Sequence, residues 1–144
     1  MLSQNALTGG MALARIMVVD DEKDIRSVLK KVLETEGHTV IEAPTGRDCL
    51  EKLLDGERPD LIILDIMMPG MDGWEVSRLI KSNEVLKDIL ICILTVKNTT
   101  MDALMSLESA HADWHLNKPI NTKQFISTVK WLLEKPRPSE NRFS

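Results

Sequence analysis

Cysteine is scarce in this chain. Only two of its 144 residues are cysteines, which is too few for a disulfide framework. Cys92 lies within an apolar strand run and Cys49 on the apolar side of a predicted helix, so both are interpreted as small core residues. Neither has a His, Lys or Arg placed to form a thiolate, so we expect neither to be catalytic.

Long apolar segments and an excess of basic residues are also missing. No run reaches the roughly 20 apolar residues of a membrane span. Residues 1–14 have neither the basic start nor the apolar stretch of a signal peptide. The formal net charge of -4 argues against nucleic acid as the main partner, because phosphate contacts need clustered Lys and Arg. These absences predict a cytoplasmic protein that binds neither membranes nor nucleic acid.

A single domain is expected between two disordered ends. Residues 1–10 are polar and contain glycine, and residues 135–144 hold two prolines and little apolar content. The segments 1–13 and 135–144 are therefore predicted to be disordered. Residues 14–134 contain no internal repeat and no sign of a second domain. They form the predicted globular domain.

Strand and helix patterns alternate five times along this domain. The nearly wholly apolar runs 16–19, 61–64 and 89–94 predict central strands that are covered on both faces. The mixed runs 38–43 and 112–116 predict edge strands. Right-handed crossovers then favour strand order 2-1-3-4-5. The expected fold is a flavodoxin-like, doubly wound α/β fold with a five-stranded parallel sheet and five helices.

Apolar stripes at helical spacing predict the five helices between these strands. The first runs from about 23 to 36 and stops at Gly37. Thr45, Asp72 and Asn121 are suited to cap the second, third and fifth helices. The residues expected to face the core are Ile25, Val28, Leu29, Val32, Leu33, Cys49, Leu50, Leu53, Leu54, Val76, Leu79, Ile80, Met101, Leu104, Met105, Phe125, Ile126, Val129, Leu132 and Leu133.

Reactive side chains stand where the predicted strands end. Asp20 and Asp21 follow the first strand, Asp65 ends the third, Thr95 ends the fourth, and Lys118 follows the fifth. A charge at the end of a buried strand costs solvation free energy unless it is used there. The carboxyl ends of neighbouring parallel strands line one crevice. We therefore expect these side chains to share one site.

The expected chemistry of this site is magnesium-dependent phosphoryl transfer. Three ionised carboxylates repel one another unless a cation neutralises them. Mg²⁺ suits carboxylates, waters and phosphate oxygens, and no soft ligands favour zinc. A carboxylate can also attack phosphorus and form an aspartyl phosphate. Such a transfer needs mainly positioning and charge stabilisation, which the metal, Lys118 and Thr95 would supply.

Four motifs at these strand ends together resemble the response regulator receiver domain of two-component signalling. They are VVDDE at 18–22, LDIMMPGMDG at 64–73, LT at 94–95 and NKP at 117–119. The resemblance covers about residues 15–134. It implies that Asp65 is the phosphoacceptor for a histidine kinase, a phosphotransfer protein or a small phosphodonor. It also implies a Mg²⁺ site formed by Asp21 directly, by Asp20 through water, by Asp65 and by the backbone carbonyl of Met67.

The resemblance further implies a conformational switch. Thr95 would hydrogen-bond the phosphoryl group and move inward, Lys118 would pair with a phosphoryl oxygen, and the peptide bond before Pro119 would be cis. The implied protein is a stand-alone receiver, monomeric or weakly dimeric, that catalyses only its own phosphorylation and dephosphorylation and is otherwise not an enzyme. Its downstream protein would bind the face of the fourth helix, fifth strand and fifth helix, where Leu107 and Trp114 stand.

The sequence departs from the family pattern at several positions. His115 stands where receivers usually carry a Tyr or Phe switch; it is interpreted either as a switch ring or as an edge-strand histidine that faces water. Val96 replaces a residue that is commonly small. Met67 offers no polar atom to orient an attacking water, and Lys97 can shield the phosphoryl group. These residues predict slow self-hydrolysis.

Other interpretations stay open at this point. Asp20 or Asp21 could simply cap the first helix, Thr95 could be an ordinary strand-end residue, and Lys118 could be solvated. An Asp-nucleophile phosphohydrolase has a similar sheet and metal, but it would want a second Asp where this chain has Met67. A flavodoxin would need a hydroxyl-rich phosphate loop after the first strand. His111 and His115 lie four apart on a predicted strand, a spacing that does not by itself predict a zinc site.

Overall fold

The computed structural model describes residues 13–68, 70–96 and 110–134. The strands are β1 (Arg15–Val19), β2 (Thr39–Ala43), β3 (Leu61–Asp65), β4 (Leu90–Val96) and β5 (Trp114–Lys118). The helices of these ranges are α1 (Lys23–Thr35), α2 (Gly46–Leu54), α3 (Gly73–Lys81) and α4 (Thr122–Glu134). The predicted disordered ends, apart from Leu13, lie outside the described residues, as does the predicted helix around Met101.

The five strands form one parallel sheet in the order β2-β1-β3-β4-β5. The predicted strand order is confirmed, and so is the placement of the nearly wholly apolar strands β1, β3 and β4 at the centre. In the register of the sheet, Asp65 pairs with Leu94, and Thr95 pairs with Asn117. The carboxyl ends of β3, β4 and β5 therefore lie side by side.

Alternate residues of each central strand contribute to two separate core layers, one on each face of the sheet. On one face Met17, Ile62 and Ile91 pack with residues of α2 and α3. On the other face Ile16, Ile63 and Cys92 pack with residues of α1 and α4. The sheet is thus covered on both faces, which explains why its central strands are continuously apolar.

Polar side chains cap the helices where the sequence predicted. Thr45 Oγ1 accepts a hydrogen bond from the Asp48 amide at 3.0 Å. Asp72 Oδ1 accepts one from the Glu75 amide at 2.9 Å, and Asn121 Oδ1 accepts one from the Gln124 amide at 2.9 Å. Gly37, which follows α1, has a φ of 95°, a conformation that glycine adopts without steric cost.

Three residues predicted to face the core are exposed instead. Val28, Leu54 and Leu79 have 60%, 76% and 43% of their surface accessible. Each is the direct sequence neighbour of a buried residue, and consecutive helical residues point about 100° apart. A helix that packs on a sheet along a narrow line buries one of the two and leaves the other at the surface. The predicted apolar stripes were therefore too wide.

The described residues include no membrane-spanning helix, and both cysteines lie in the core. None of the described helices combines the length and the apolar character needed to cross a bilayer. Cys49 and Cys92 are buried and free. Burial raises the pKa of both thiols to about 12, so neither forms a thiolate at neutral pH. Both act as core residues, as predicted.

Candidate functional site

The carboxyl end of the sheet brings three carboxylates and one ammonium group together. Asp20, Asp21 and Asp65 each place a carboxylate oxygen within 4.8 Å of the others. Lys118 Nζ lies 3.0 Å from Asp65 Oδ1 and 3.6 Å from Asp20 Oδ2. Four of the predicted site residues therefore form one cluster, although they come from three different strand ends.

Asp65 is held from two sides at the end of β3. Only 2% of its surface is accessible. Its Oδ1 accepts hydrogen bonds from Lys118 Nζ at 3.0 Å and from the Met67 amide at 3.3 Å. The carboxylate is thus fixed in orientation before any ligand arrives.

Asp20 is the carboxylate of the cluster whose ionisation costs the most solvation free energy. It is fully buried, its Oδ1 accepts a hydrogen bond from the Glu22 amide at 2.9 Å, and its Oδ2 has no hydrogen-bond partner. Burial raises the pKa of Asp20; the Glu22 amide opposes this, and repulsion from Asp65 adds to it. A buried carboxylate oxygen without a donor is suited to a cation.

Neither aspartate of the pair caps the first helix. The N-cap residue of α1 is Glu22, which makes no side-chain cap hydrogen bond. Asp20 bonds the Glu22 amide before the helix begins, and the Asp21 side chain is exposed. The geometry thus argues against the simple capping interpretation of these residues.

Lys118 carries its charge in this site. Burial would lower the pKa of its ammonium, but the hydrogen bond to Asp65 and the negative charges of Asp65 and Asp20 outweigh burial and raise it. Lys118 is therefore a fixed cation at neutral pH. One ammonium facing three carboxylates leaves a negative excess.

The residues present fit a magnesium ion. Asp20, Asp21 and Asp65 offer hard oxygen ligands from one cluster, and Asp20 Oδ2 lacks a donor. Mg²⁺ prefers such carboxylates together with waters and phosphate oxygens. When bound, it would neutralise charge on the carboxylates and on a phosphoryl group. The role predicted for the Met67 carbonyl stays a prediction; the side chain of Met67 is 65% accessible.

Thr95 is the penultimate residue of β4, the strand next to Asp65, and its hydroxyl has a partner outside the acidic cluster. The Oγ1 atom lies 2.7 Å from Asn117 Oδ1 on β5. The sequence identified Asn117 only as part of the NKP motif and did not predict its contact with Thr95. The register of a parallel sheet, in which the two residues face each other, is the signal that could have found it.

Arg26 and Gly73 also make contacts in the site that were not predicted from the sequence. Arg26 donates a hydrogen bond to the backbone carbonyl of Asp20 at 2.7 Å and pairs with Glu42 on β2 at 3.2 Å. Gly73 begins α3 against β3, where an added Cβ would lie 2.5 Å from the carbonyl oxygen of Asp65. Arg26 thus bonds the backbone of Asp20, and Gly73 lies close against that of Asp65.

The histidines lie apart from the acidic cluster. Among the described residues, the group of side chains suited to a metal comprises the three aspartates and neither His111 nor His115. His115 is half-buried, and its Nδ1 is buried without a hydrogen-bond partner.

The peptide bond between Lys118 and Pro119 is cis, as predicted.

Comparison with known proteins identifies the family. The family profile of the response regulator receiver domain matches residues 16–130. The chain belongs to this family. This receiver is 38% identical over 120 residues to the transcriptional regulatory protein AfsQ1 of Streptomyces coelicolor, a match that covers 83% of this chain and 51% of AfsQ1. It is 35% identical over 126 residues to the response regulator MprA of Mycolicibacterium vanbaalenii, with 88% and 53% covered.

Solved receiver structures share the fold. The signal receiver domain of a signal transduction histidine kinase from Syntrophus aciditrophicus superposes with a TM-score of 0.76 at 35% identity, covering 83% of this chain and 89% of that one. The chemotaxis protein CheY4 of Vibrio cholerae gives 0.76 at 29% identity, covering 83% and 98%. This receiver spans about half the length of the curated relatives AfsQ1 and MprA.

Proposed function

We propose that this receiver is a phosphorylation switch in which Asp65 accepts a phosphoryl group from a histidine kinase, a phosphotransfer protein or a small phosphodonor. The observation that carries the proposal is the fixed carboxylate of Asp65. It is almost inaccessible, bonded by Lys118, and within 4.8 Å of two further carboxylates. A buried anion bears a desolvation cost, which the neighbouring ammonium of Lys118 offsets.

The transfer is a displacement at phosphorus. A carboxylate oxygen of Asp65 forms a bond to phosphorus while the bond from phosphorus to the donor's imidazole nitrogen breaks. The donor ring, protonated at its other nitrogen, keeps the electron pair of the broken bond and leaves as neutral imidazole, and Asp65 becomes an acyl phosphate. With acetyl phosphate as the donor, the phosphorus–oxygen bond breaks and acetate leaves. No general base is needed, because a carboxylate nucleophile has no proton to remove.

The other site residues act by charge and position. Lys118 holds a fixed positive charge 3.0 Å from the Asp65 carboxylate, where it can stabilise the negative charge of the transferring group. Asp20, Asp21 and Asp65 would hold a Mg²⁺ ion, whose charge would help to stabilise the transferring group. After phosphorylation Thr95 turns its hydroxyl to the phosphoryl group on Asp65. The phosphorylation of Asp65 thereby moves the carboxyl end of β4.

The output proposed for this switch is protein–protein contact. Phosphorylation changes the face that includes β5 and α4, where Trp114 and Trp131 are exposed and meet edge to face with ring centroids 5.0 Å apart. Leu107, also expected there, lies outside the described residues.

We place the protein in the cytoplasm, as a monomer or weak dimer that catalyses only its own phosphorylation and dephosphorylation. The stand-alone arrangement stays a prediction, because AfsQ1 and MprA are about twice as long as the matched segment.

The proposal is tested by labelling with acetyl phosphate in the presence of Mg²⁺. Wild type should acquire one acid-stable, alkali-labile phosphoryl group, and Asp65→Asn should acquire none. Asp55→Asn, an exposed aspartate at the end of α2, is the matched control and should be labelled like wild type. An unlabelled wild type contradicts the switch, and rapid multiple turnover of a phosphate ester would favour a phosphohydrolase instead.

A further inference from the structure

The hydroxyl of Thr95 depends on one acceptor. Thr95 is fully buried, so its proton has to find a partner within the protein. Asn117 Oδ1 lies 2.7 Å from Oγ1, whereas the carbonyl oxygen of Leu116 lies 3.5 Å away. Only the first distance is typical of an O–H···O hydrogen bond. The contact with Asn117 therefore fixes the direction of the hydroxyl.

The two partners differ in their access to water. Thr95 and Asn117 are paired across the parallel strands β4 and β5, but Asn117 is exposed while Thr95 is buried. If the hydroxyl turns away, water can hydrate the Asn117 amide at little cost. A hydroxyl that stays in place without Asn117 has no good acceptor and bears a desolvation penalty. The hydrogen bond thus stabilises one orientation of Thr95 selectively.

We propose that Asn117 is a positioning residue that holds the Thr95 hydroxyl away from the phosphoryl site and so opposes the switch. The inference rests on the proposed function, in which Thr95 must turn to the phosphoryl group. A group that stabilises only the unphosphorylated arrangement lowers the affinity for any ligand that needs the other one. Replacement of Asn117 by an apolar residue therefore favours the phosphorylated arrangement.

The test measures binding of beryllofluoride, a phosphoryl mimic, by calorimetry at saturating Mg²⁺. Asn117→Leu should bind beryllofluoride roughly three- to tenfold more tightly than wild type, as expected for one lost hydrogen bond. Asn117→Ala should shift the affinity in the same direction. Gln124→Leu also replaces an amide side chain by leucine, at an exposed position of α4, and should bind like wild type.

A mutant cycle separates this role from a merely structural one. In a Thr95→Val background there is no hydroxyl to hold, so Asn117→Leu should leave the affinity unchanged. In a Thr95→Ser background the gain should persist. Equal affinity of wild type and Asn117→Leu, or an equal gain in the Thr95→Val background, overturns the role of Asn117 alone. A wild type that binds no beryllofluoride overturns the proposed function and this inference with it.

Discussion

The ammonium of Lys118 lies 3.0 Å from a carboxylate oxygen of Asp65, although 53 residues separate them in sequence. The strand order makes this contact possible, because β3 and β5 both flank β4 and end at the same edge of the sheet. The same ammonium lies 3.6 Å from Asp20. One cation is thus shared by two buried carboxylates, with Asp21 beside them. The negative excess of this cluster determines how the site responds to metal and to mutation.

Asp20→Asn should stabilise the metal-free protein and abolish its stabilisation by magnesium. Burial raises the pKa of Asp20, so at neutral pH the folded chain bears the cost of an ionised carboxylate, one oxygen of which accepts no hydrogen bond. Removal of the charge should raise the free energy of unfolding by about 1–2 kcal/mol. Urea unfolding with and without Mg²⁺ measures both effects. A variant that is less stable than wild type without metal would contradict the cost assigned to this carboxylate.

Gly73→Ala should damage both stability and phosphorylation. An added Cβ would lie 2.5 Å from the Asp65 carbonyl oxygen and 2.8 Å from the Ile66 Cα, and backbone atoms cannot rotate away. We expect a loss of about 3 kcal/mol in the free energy of unfolding and slower labelling by acetyl phosphate, because the end of β3 must shift.

Gly56→Ala is the control for this substitution. Gly56 has a φ of 110° but nothing within 4 Å of an added Cβ. The left-handed conformation alone should cost about 1–2 kcal/mol, with labelling unchanged. Normal labelling of Gly73→Ala would show that the position of Asp65 does not depend on the close approach of α3.

The strand order and the aspartate cluster could be predicted because both follow from local patterns. Continuous apolar runs marked the central strands, and Asp20, Asp21 and Asp65 followed directly after two of them. The exposure of Val28 could not be read in this way, because a helical stripe does not reveal how narrow the contact with the sheet will be. Arg26 and Asn117 were missed for another reason. Their partners lie on other elements of the chain, so only the assembled sheet brings them into contact.

His38 should make the stability of the protein fall in mild acid. Its Nδ1 accepts a hydrogen bond from the Ala14 amide at 3.1 Å, which a protonated ring cannot do. Burial lowers the pKa of His38 from 6.5, partly opposed by Glu36 and Asp60. As the pH falls below 6.5, the unfolded chain therefore binds a proton before the folded chain does. Stability is lost from that pH down to the lowered pKa.

The His38 contribution is isolated with His38→Asn, which does not titrate. Urea midpoints measured between pH 7.5 and 5.5 should fall further in wild type than in the variant. Parallel curves for the two proteins would rule out this histidine as the source of the acid sensitivity.

Met67→Asn should shorten the life of the phosphorylated state. The Met67 side chain is 65% accessible and stands two residues after Asp65, where it offers no polar atom to orient water. An amide there can hold a water close to the acyl phosphate and so speed hydrolysis. Loss of radiolabel from isolated protein measures the rate, with Met67→Leu as the apolar control. Equal rates for Met67→Asn and Met67→Leu would show that this side chain does not limit hydrolysis.

His115 should change its environment when the site is filled with Mg²⁺ and beryllofluoride. Its Nδ1 is buried and has no hydrogen-bond partner, so no hydrogen bond at this atom resists a movement of the ring. The residue lies two positions before Asn117 on β5, and therefore on the same face of the sheet as the Thr95–Asn117 contact. Ring NMR shifts of His115 should move on addition of the mimic. The ring of His38, which accepts a hydrogen bond from the Ala14 amide, should keep its NMR shifts and serves as the internal control. Identical His115 ring shifts with and without the mimic would exclude the switch role.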